Sequence, residues 1–384
     1  MGIWDDIVGQ DDAVGILRRA ADAGINAGPH DGMTHAWLIT GPPGSGRSNL
    51  AYAFATALLT GDDPAHTAAQ VAARTHPDLA VLATDKMIIT IDEVRRLIQS
   101  AQFSPAGGRY RVLIVEDADR MSERTSNVLL KSLEEPPERT VWILCAPSEA
   151  DLIPTIRSRV RSVRLRVPSV QDVAALLTRR DGVPPELAER AARHAQSHIG
   201  MARRLALDEP ARNRRSETLS LALGLRSVSA AVQAAARYLE LAADDAGALT
   251  AQQDEAERRD FLRSLGVDEG QTIPPALRSQ LRALEEDQKR RATRSLRDGI
   301  DRILLDLLSL YRDVLLAQLG VPALTINSEL DEELARIAAA RSEAEVLTVL
   351  EAIQNTRRRL QGNVAPALAL EALLVTMIRE DVPR

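Results

Sequence analysis

Gly41-Pro42-Pro43-Gly44-Ser45-Gly46-Arg47-Ser48 follows Trp37-Leu38-Ile39-Thr40 directly and runs into Asn49 to Leu59, whose apolar spacing is helical. A strand, a glycine-rich loop and a helix in that order form a phosphate cradle. Glycines let backbone amides turn inward on the oxygens, and the helix N-terminus adds its positive end. A lysine then reaches the β- and γ-phosphates, and a Ser or Thr hydroxyl ligates Mg2+. Every part is present except the lysine, whose place Arg47 takes. Arg47 keeps the charge, but a planar guanidinium does not reproduce a compact ammonium between two phosphates. The loop is therefore read as one shaped for ATP or ADP with Mg2+. Binding stays open, and turnover by the chain itself is expected to be weak or nil. The bland alternative is a Gly/Pro turn between strand and helix.

A second constellation lies at the end of Arg111-Val112-Leu113-Ile114-Val115, where the acids Glu116, Asp117 and Asp119 follow an apolar strand. In a Walker-B element one acid holds magnesium through water and the next polarises the attacking water. Motor ATPases usually carry Asp then Glu; here the order is reversed, leaving the shorter Asp117 at the water-activating position. Solvated acids at a strand end are the plainer reading. The single cysteine, Cys145, excludes an intrachain disulfide and any multi-cysteine metal site. It ends an apolar strand and reads as a small buried hydrophobe.

These residues need elements to hold them. Ala36 to Thr40, Leu79 to Ala83, Val112 to Val115 and Val141 to Cys145 are short, nearly unbroken apolar runs, as strands covered on both faces are. Helical patterns alternate with them: Thr90-Ile91-Asp92-Glu93 has the form of a capping box opening a helix to about Ala101, and a helix from Ser122 stops at Pro136 and Pro137. The fold expected to about Val167 is α/β with a mostly parallel sheet. Residues 168–210 read as a small group of short helices, and 211–384 as almost wholly helical, with amphipathic stretches at Thr218–Leu241, Leu277–Leu319, Glu332–Leu360 and Ala365–Arg379. Thr250 to Asp260 and Gly266 to Pro275 read as connections.

The 384 residues, 45% of them hydrophobic, suffice for two or three domains. Aromatics make up 3% and the net charge is -6, which argues against a dense basic surface interleaved with stacking rings. Ile303 to Leu319, the most apolar stretch, is broken by Asp306, Ser309, Arg312 and Asp313, so no membrane span is expected. MGIWDDIVGQ has neither a basic n-region nor an apolar h-region, and a reducing cytoplasm is the expected location.

In order along the chain, Ile7-Val8-Gly9-Gln10, Gly41 to Ser48, Glu116 to Asp119, Leu129-Leu130-Lys131-Ser132-Leu133-Glu134-Glu135-Pro136-Pro137, Ala146-Pro147-Ser148 and Thr155-Ile156-Arg157-Ser158-Arg159 resemble the clamp-loader AAA+ proteins. The likeness is to the delta-prime branch of bacterial DNA polymerase III clamp loaders, of the high-GC Gram-positive kind, and is strong over residues 1–208. It implies an α/β AAA+ P-loop domain at 1–167, a helical lid at 168–210 and an all-α collar at 211–384. It implies that Ile7 and Val8 lie against an adenine. Gly41, Gly44, Ser45, Gly46, Arg47 and Ser48 would surround phosphates, and Glu116 and Asp117 would face magnesium. Arg203, in Gly200-Met201-Ala202-Arg203, would be the second sensor arginine, and Arg159 the finger offered in trans to a neighbour's ATP. The plain reading of Arg159 is a solvated charge in the run Arg157, Arg159, Arg161, Arg164 and Arg166, near DNA phosphates.

The partners implied are gamma/tau motor subunits, a delta subunit and, through the complex, a sliding clamp and primed DNA. Two departures stand out. Val160 replaces the family's cysteine after Ser-Arg, and Asp62 to His76 lacks the cysteines of the zinc module that many relatives carry, so no zinc is expected and His66 and His76 read as surface residues. A rival reading is a catalytically active motor ATPase of the gamma/tau or branch-migration kind, disfavoured by Arg47 and the reversed acids.

Overall fold

The computed structural model describes residues 2–26, 33–61, 63–84, 88–107, 109–264, 278–321, 325–362 and 364–378. The chain divides into two compact units, 1–207 and 208–384.

In the first unit the elements run α1 (Asp11–Asn26), β1 (Ala36–Thr40), α2 (Arg47–Leu59), α3 (Pro64–Ala72), β2 (Leu79–Leu82), α4 (Ile91–Ala101), β3 (Arg111–Val115), α5 (Glu123–Glu134), β4 (Thr140–Ala146), α6 (Pro154–Arg157) and β5 (Arg161–Arg164). Three further helices follow: α7 (Val170–Asp181), α8 (Pro185–His194) and α9 (Ile199–Leu207). The five strands pair in parallel, in the order β2-β3-β4-β1-β5. Their side chains alternate between two apolar layers, as a pleat requires. Trp37, Ile39, Val112, Ile114, Ile143 and Cys145 face α1 and α2, meeting Leu17, Leu50 and Phe54. Leu38, Leu113, Val115, Trp142 and Leu144 face α4, α5 and α6, meeting Leu97, Leu129, Leu133 and Ile156. All five residues of β1 and of β3, and all seven of β4, are buried, which is why these strands read as unbroken apolar runs.

The capping box at Thr90 is present: Thr90 Oγ1 accepts from the Glu93 amide and Glu93 reaches back to the Thr90 amide. Ser122 caps α5 by accepting from the Thr125 amide. β5 escaped the sequence reading because it is an edge strand with only Val163 buried. Its Arg161 lies across from Trp37 and stacks over the indole, 5.1 Å from the ring centre.

The second unit holds α10 (Glu209–Leu223), α11 (Val228–Ser264), α12 (Arg278–Gln318), α13 (Asp331–Ala340), α14 (Glu343–Gln361) and α15 (Pro366–Thr376). The expected stretch 218–241 breaks near Gly224, and 332–360 breaks at Ser342, which caps α14 in a capping box of its own with Glu345. Thr250 to Asp260, expected to be a connection, is helical within α11. The run is helical because its charges find partners across the hairpin. Arg291 Nη2 donates to Glu257 at 2.7 Å, Arg258 to Glu285 at 3.2 Å and Gln288 to the Asp254 carbonyl at 3.0 Å. Nearer the core, Arg302 reaches Asp245. These pairs step in opposite directions along the two chains, so α11 and α12 are antiparallel. Gly266 to Pro275 lies outside the described residues. The core centres on Tyr238, Leu304, Leu307, Val314, Ile353 and Leu370, all fully buried or nearly so. Among the described residues no helix is long and apolar enough to cross a membrane.

Candidate nucleotide-type site

β1 ends at Thr40, and the loop that follows turns through Gly44 (φ 79°) and Gly46 (φ 91°), a left-handed conformation that glycine adopts without a Cβ clash. Gly46 is also the residue from which α2 starts. Two strands away, β3 delivers Glu116 and Asp117 to the same end of the sheet. The loop and the acids are in direct contact: Ser48 Oγ donates to Glu116 Oε2 at 2.8 Å.

Glu116 is surrounded by donors of the chain itself. Its Oε1 accepts from Tyr52 Oη at 2.6 Å and from Arg74 Nη2 at 2.9 Å. The Arg74 guanidinium also lies over the Tyr52 ring, 5.5 Å from its centre. Burial, and then the bond to Glu116, push the Tyr52 hydroxyl far above its ordinary range, so it stays a donor. Asp117 is likewise taken: Arg120 sits at 3.0 Å from Oδ2 and Arg47 at 3.6 Å from Oδ1. Arg47 Nη1 also donates to the Gly41 carbonyl at 2.5 Å, folding the side chain back on its own loop. Arg74 and Asp117 both have positive φ, 58° and 49°, a strained conformation for non-glycine residues that the surrounding contacts must hold.

On the other side of the loop, α9 closes in. The Ile199 amide donates to the Gly44 carbonyl at 3.2 Å, and a Cβ on Gly44 would stand 2.2 Å from the His198 ring. His198 Nδ1 in turn accepts from the Met201 amide, capping the first turn of α9. A cleft of about 520 Å³ runs between the loop and α9, lined by Gly44, Gly46, Arg47, Ser48, Arg180 and Arg203 among others. Arg203 Nε donates to Asp181 at 2.9 Å, and Arg180 holds the other oxygen. Burial raises the Asp181 pKa, but the bonds from Arg180 and Arg203 outweigh it and hold the carboxyl below its ordinary value.

The structure thus brings Gly44, Gly46, Arg47, Ser48 and Arg203 together around one cleft, with Glu116 behind Ser48 and Asp117 beside Arg47. Gly41 accepts from Arg47, and Ser45, within the loop, is buried. Ile7 and Val8 are half-buried, Ile7 against the apolar layer around Trp37, and neither lines this cleft. The neighbouring Gln10 carries the segment. Its amide donates to the Arg166 carbonyl at 2.8 Å and accepts from the Arg166 amide at 3.0 Å.

The cleft offers anions a helix N-terminus and arginines. The donor set does not fit a nucleotide-bound magnesium, because both acids that would face the ion already carry guanidinium groups and Glu116 two hydroxyls besides. Cys145 is fully buried nearby, and burial pushes its thiol up to about 12. Among the described residues no three His, Cys, Asp or Glu side chains converge as a metal site.

Arg159 lies elsewhere, just past α6. Its Nη2 meets Glu134 Oε1 at 2.6 Å, and its Nη1 donates to the Thr155 carbonyl at 2.8 Å and to Ser158 Oγ at 3.1 Å. About a third of the side chain, 34%, is exposed. Gln10 and Glu134 stand in motifs quoted above without a role of their own, and sequence reasoning missed Tyr52, Arg74 and His198. Tyr52 alone left a signal, a polar ring one helical turn after Ser48.

Two family profiles match the chain: one described as DNA polymerase III, delta subunit, over residues 21–169, and one as DNA polymerase III, delta subunit, C terminal, over 256–378. DNA polymerase III subunit delta' of Pseudomonas aeruginosa is 40% identical over 139 residues, covering 33% of this chain and 41% of that protein. Its Escherichia coli counterpart is 33% identical over 154 residues, 38% of this chain and 46% of that one. DNA polymerase III subunit gamma/tau of Mycobacterium tuberculosis is 30% identical over 182 residues, 45% of this chain and 30% of that one. The alignments span less than half the length of these relatives. A solved DNA polymerase III gamma-subunit-related protein of Thermotoga maritima superposes with a TM-score of 0.45 at 16% identity, over 94% of this chain and 98% of that one. With two delta-subunit profiles that together cover more than two thirds of its length, and with its delta' relatives, the chain belongs to the DNA polymerase III delta/delta' subunit family.

Proposed function

We propose that the chain braces the clamp-loader ring and offers Arg159 to ATP bound on a neighbouring motor subunit, while turning over little or no ATP itself. In this reading residues 1–167 form the AAA+ domain, 168–210 the lid and 211–384 the collar. The neighbours are gamma/tau motors and a delta subunit, and the sliding clamp and primed DNA are reached through the complex in the cytoplasm.

The observation that carries the reading is the state of the two acids. Glu116 is held by Ser48, Tyr52 and Arg74, and Asp117 by Arg47 and Arg120. A carboxylate engaged in this way is a poor metal ligand and a poor base, because each charge-assisted bond must break first. Arg47 adds to this, its guanidinium being bound to the Gly41 carbonyl. An ADP or ATP held by loop amides and Arg203 remains compatible with the cleft, without a hydrolytic role.

A partly exposed arginine outside the chain's own cleft fits the task of placing charge at a partner's γ-phosphate. In other NTPases such a group is worth about 10³–10⁵ in rate. The test is reconstitution with motor and delta subunits. Arg159→Ala is expected to assemble normally and to slow clamp- and DNA-stimulated ATP hydrolysis, with Arg159→Lys rescuing poorly because the planar fork is lost. Vigorous hydrolysis by the chain alone, abolished in Ser48→Ala, would favour the motor reading instead.

A further inference from the structure

We propose that Glu134, in the Leu129–Pro137 run, is a positioning residue that sets the orientation of the Arg159 guanidinium; the inference rests on the reading of Arg159 as a trans-acting finger. Glu134 is the last residue of α5, ahead of Pro136 and Pro137. Unpaired carbonyls make a helix C-terminus partly negative, so a carboxylate there is unfavourable unless a cation answers it. Arg159 is that cation, at 2.6 Å.

The two ends of the contact are fixed independently of it. Leu129 and Leu133 bury α5 at 0% and 1% exposure, and Ile156 buries α6 at 0% in the same apolar layer. The separation between Glu134 and Arg159 is therefore set by close packing rather than by the ion pair itself. The Thr155 carbonyl and Ser158 Oγ hold Nη1. With Glu134 on Nη2, the guanidinium is pinned from two directions. A long side chain with several rotatable bonds needs such a restraint to meet a phosphoryl oxygen without ordering itself first.

Partly exposed ion pairs contribute little to stability, so the effect of removing Glu134 should fall on geometry rather than on folding. The experiment uses the full chain reconstituted with motor and delta subunits, comparing wild type, Glu134→Ala, Glu134→Gln and Arg159→Ala. The readouts are kcat and KM for clamp- and DNA-stimulated ATP hydrolysis, the melting temperature, and the Arg159 side-chain ¹H–¹⁵N signal of the isolated chain.

Glu134→Ala is expected to leave melting, assembly and KM unchanged, to shift and broaden the Arg159 signal, and to lower kcat about tenfold. Arg159→Ala should lower it further, and Glu134→Gln, which keeps an acceptor in place, should recover part of the loss. Wild-type kcat in Glu134→Ala beside a slow Arg159→Ala would overturn the positioning role while leaving the finger intact. Wild-type kcat in Arg159→Ala would remove the finger and the proposal with it. A shifted Arg159 signal in Glu134→Ala would then identify the pair as a surface contact only.

Discussion

Ser48 and Glu116, 68 residues apart in sequence, share a hydrogen bond of 2.8 Å that ties the glycine loop to the end of β3. Ser48 gives its proton to Glu116, whose other oxygen is held by Tyr52 and Arg74, so a guanidinium already stands at the carboxylate where magnesium would supply the positive charge. Magnesium should accordingly make no difference to ADP affinity. Calorimetry with Mg2+ and with EDTA should give the same result for wild type. Arg74→Ala, which releases one oxygen of Glu116, should bind ADP severalfold more tightly with Mg2+ than without. A strong Mg2+ requirement in the wild type would contradict the assignment.

In the second unit, Asp313 is fully buried on α12 and accepts from the amides of Ile326 and Asn327 and from Asn327 Nδ2, at 2.7 to 2.8 Å. Removing the carboxylate strands these donors away from water together with the Arg312 contact. Asp313→Ala should cost about 3–5 kcal/mol, visible as a lower urea midpoint with an unchanged slope. A loss below about 1 kcal/mol would mean that solvent reaches the site.

Alkaline pH should weaken the first unit. Burial raises the Cys145 thiol from its ordinary 9.0 to about 12, and burial with the Glu116 bond raises Tyr52. Both groups are kept protonated in the fold at pH values where the unfolded chain has lost the proton. Their contribution is therefore complete below about pH 9 and declines as pH rises toward the folded values. Urea midpoints between pH 8 and 11 should fall, and less steeply in Cys145→Ala. Parallel slopes in the two proteins would refute the assignment to the thiol.

The outer part of the α11–α12 hairpin should be sensitive to salt. From Asp254 outward its described contacts are ion pairs and one amide bond, whereas the apolar core lies inward, around Tyr238 and Leu304. Raising salt from 0.15 M to 1 M shortens the screening length from about 8 Å to about 3 Å. With exposed pairs worth about 0.2–1 kcal/mol each, amides near Glu257 and Arg291 should exchange about three to ten times faster. Amides near Leu304 should not change.

Much of the first unit was legible because its signals are local. β1, β3 and β4 are buried on both faces and read as apolar runs; Thr90 and Ser122 announce their helices through cap chemistry. The glycine loop is legible for the same reason, as its spacing is its geometry. Arg74 was not legible, since nothing in the residues around it indicates that a left-handed backbone will carry its guanidinium to Glu116, 42 positions later. Glu134 and Arg159 are each visible as motif residues, but their meeting depends on how α5 and α6 settle on one layer. The helical character of 250–260 was hidden because its stabilising partners lie across the hairpin, beyond any window of sequence.

The stepwise pairing of α11 with α12 also has a consequence for how this chain can vary in length. Because each contact outward from Asp245 and Arg302 is matched by one on the opposite strand of the hairpin, a deletion in one helix alone would rotate every later side chain off its partner. Removing seven residues, about two turns, from both helices at the same level would preserve the faces and simply shorten the projection by about 10 Å. A change in the hairpin's length that keeps these pairs must therefore be matched in both helices, with the apolar core inward of Asp245 left unaltered.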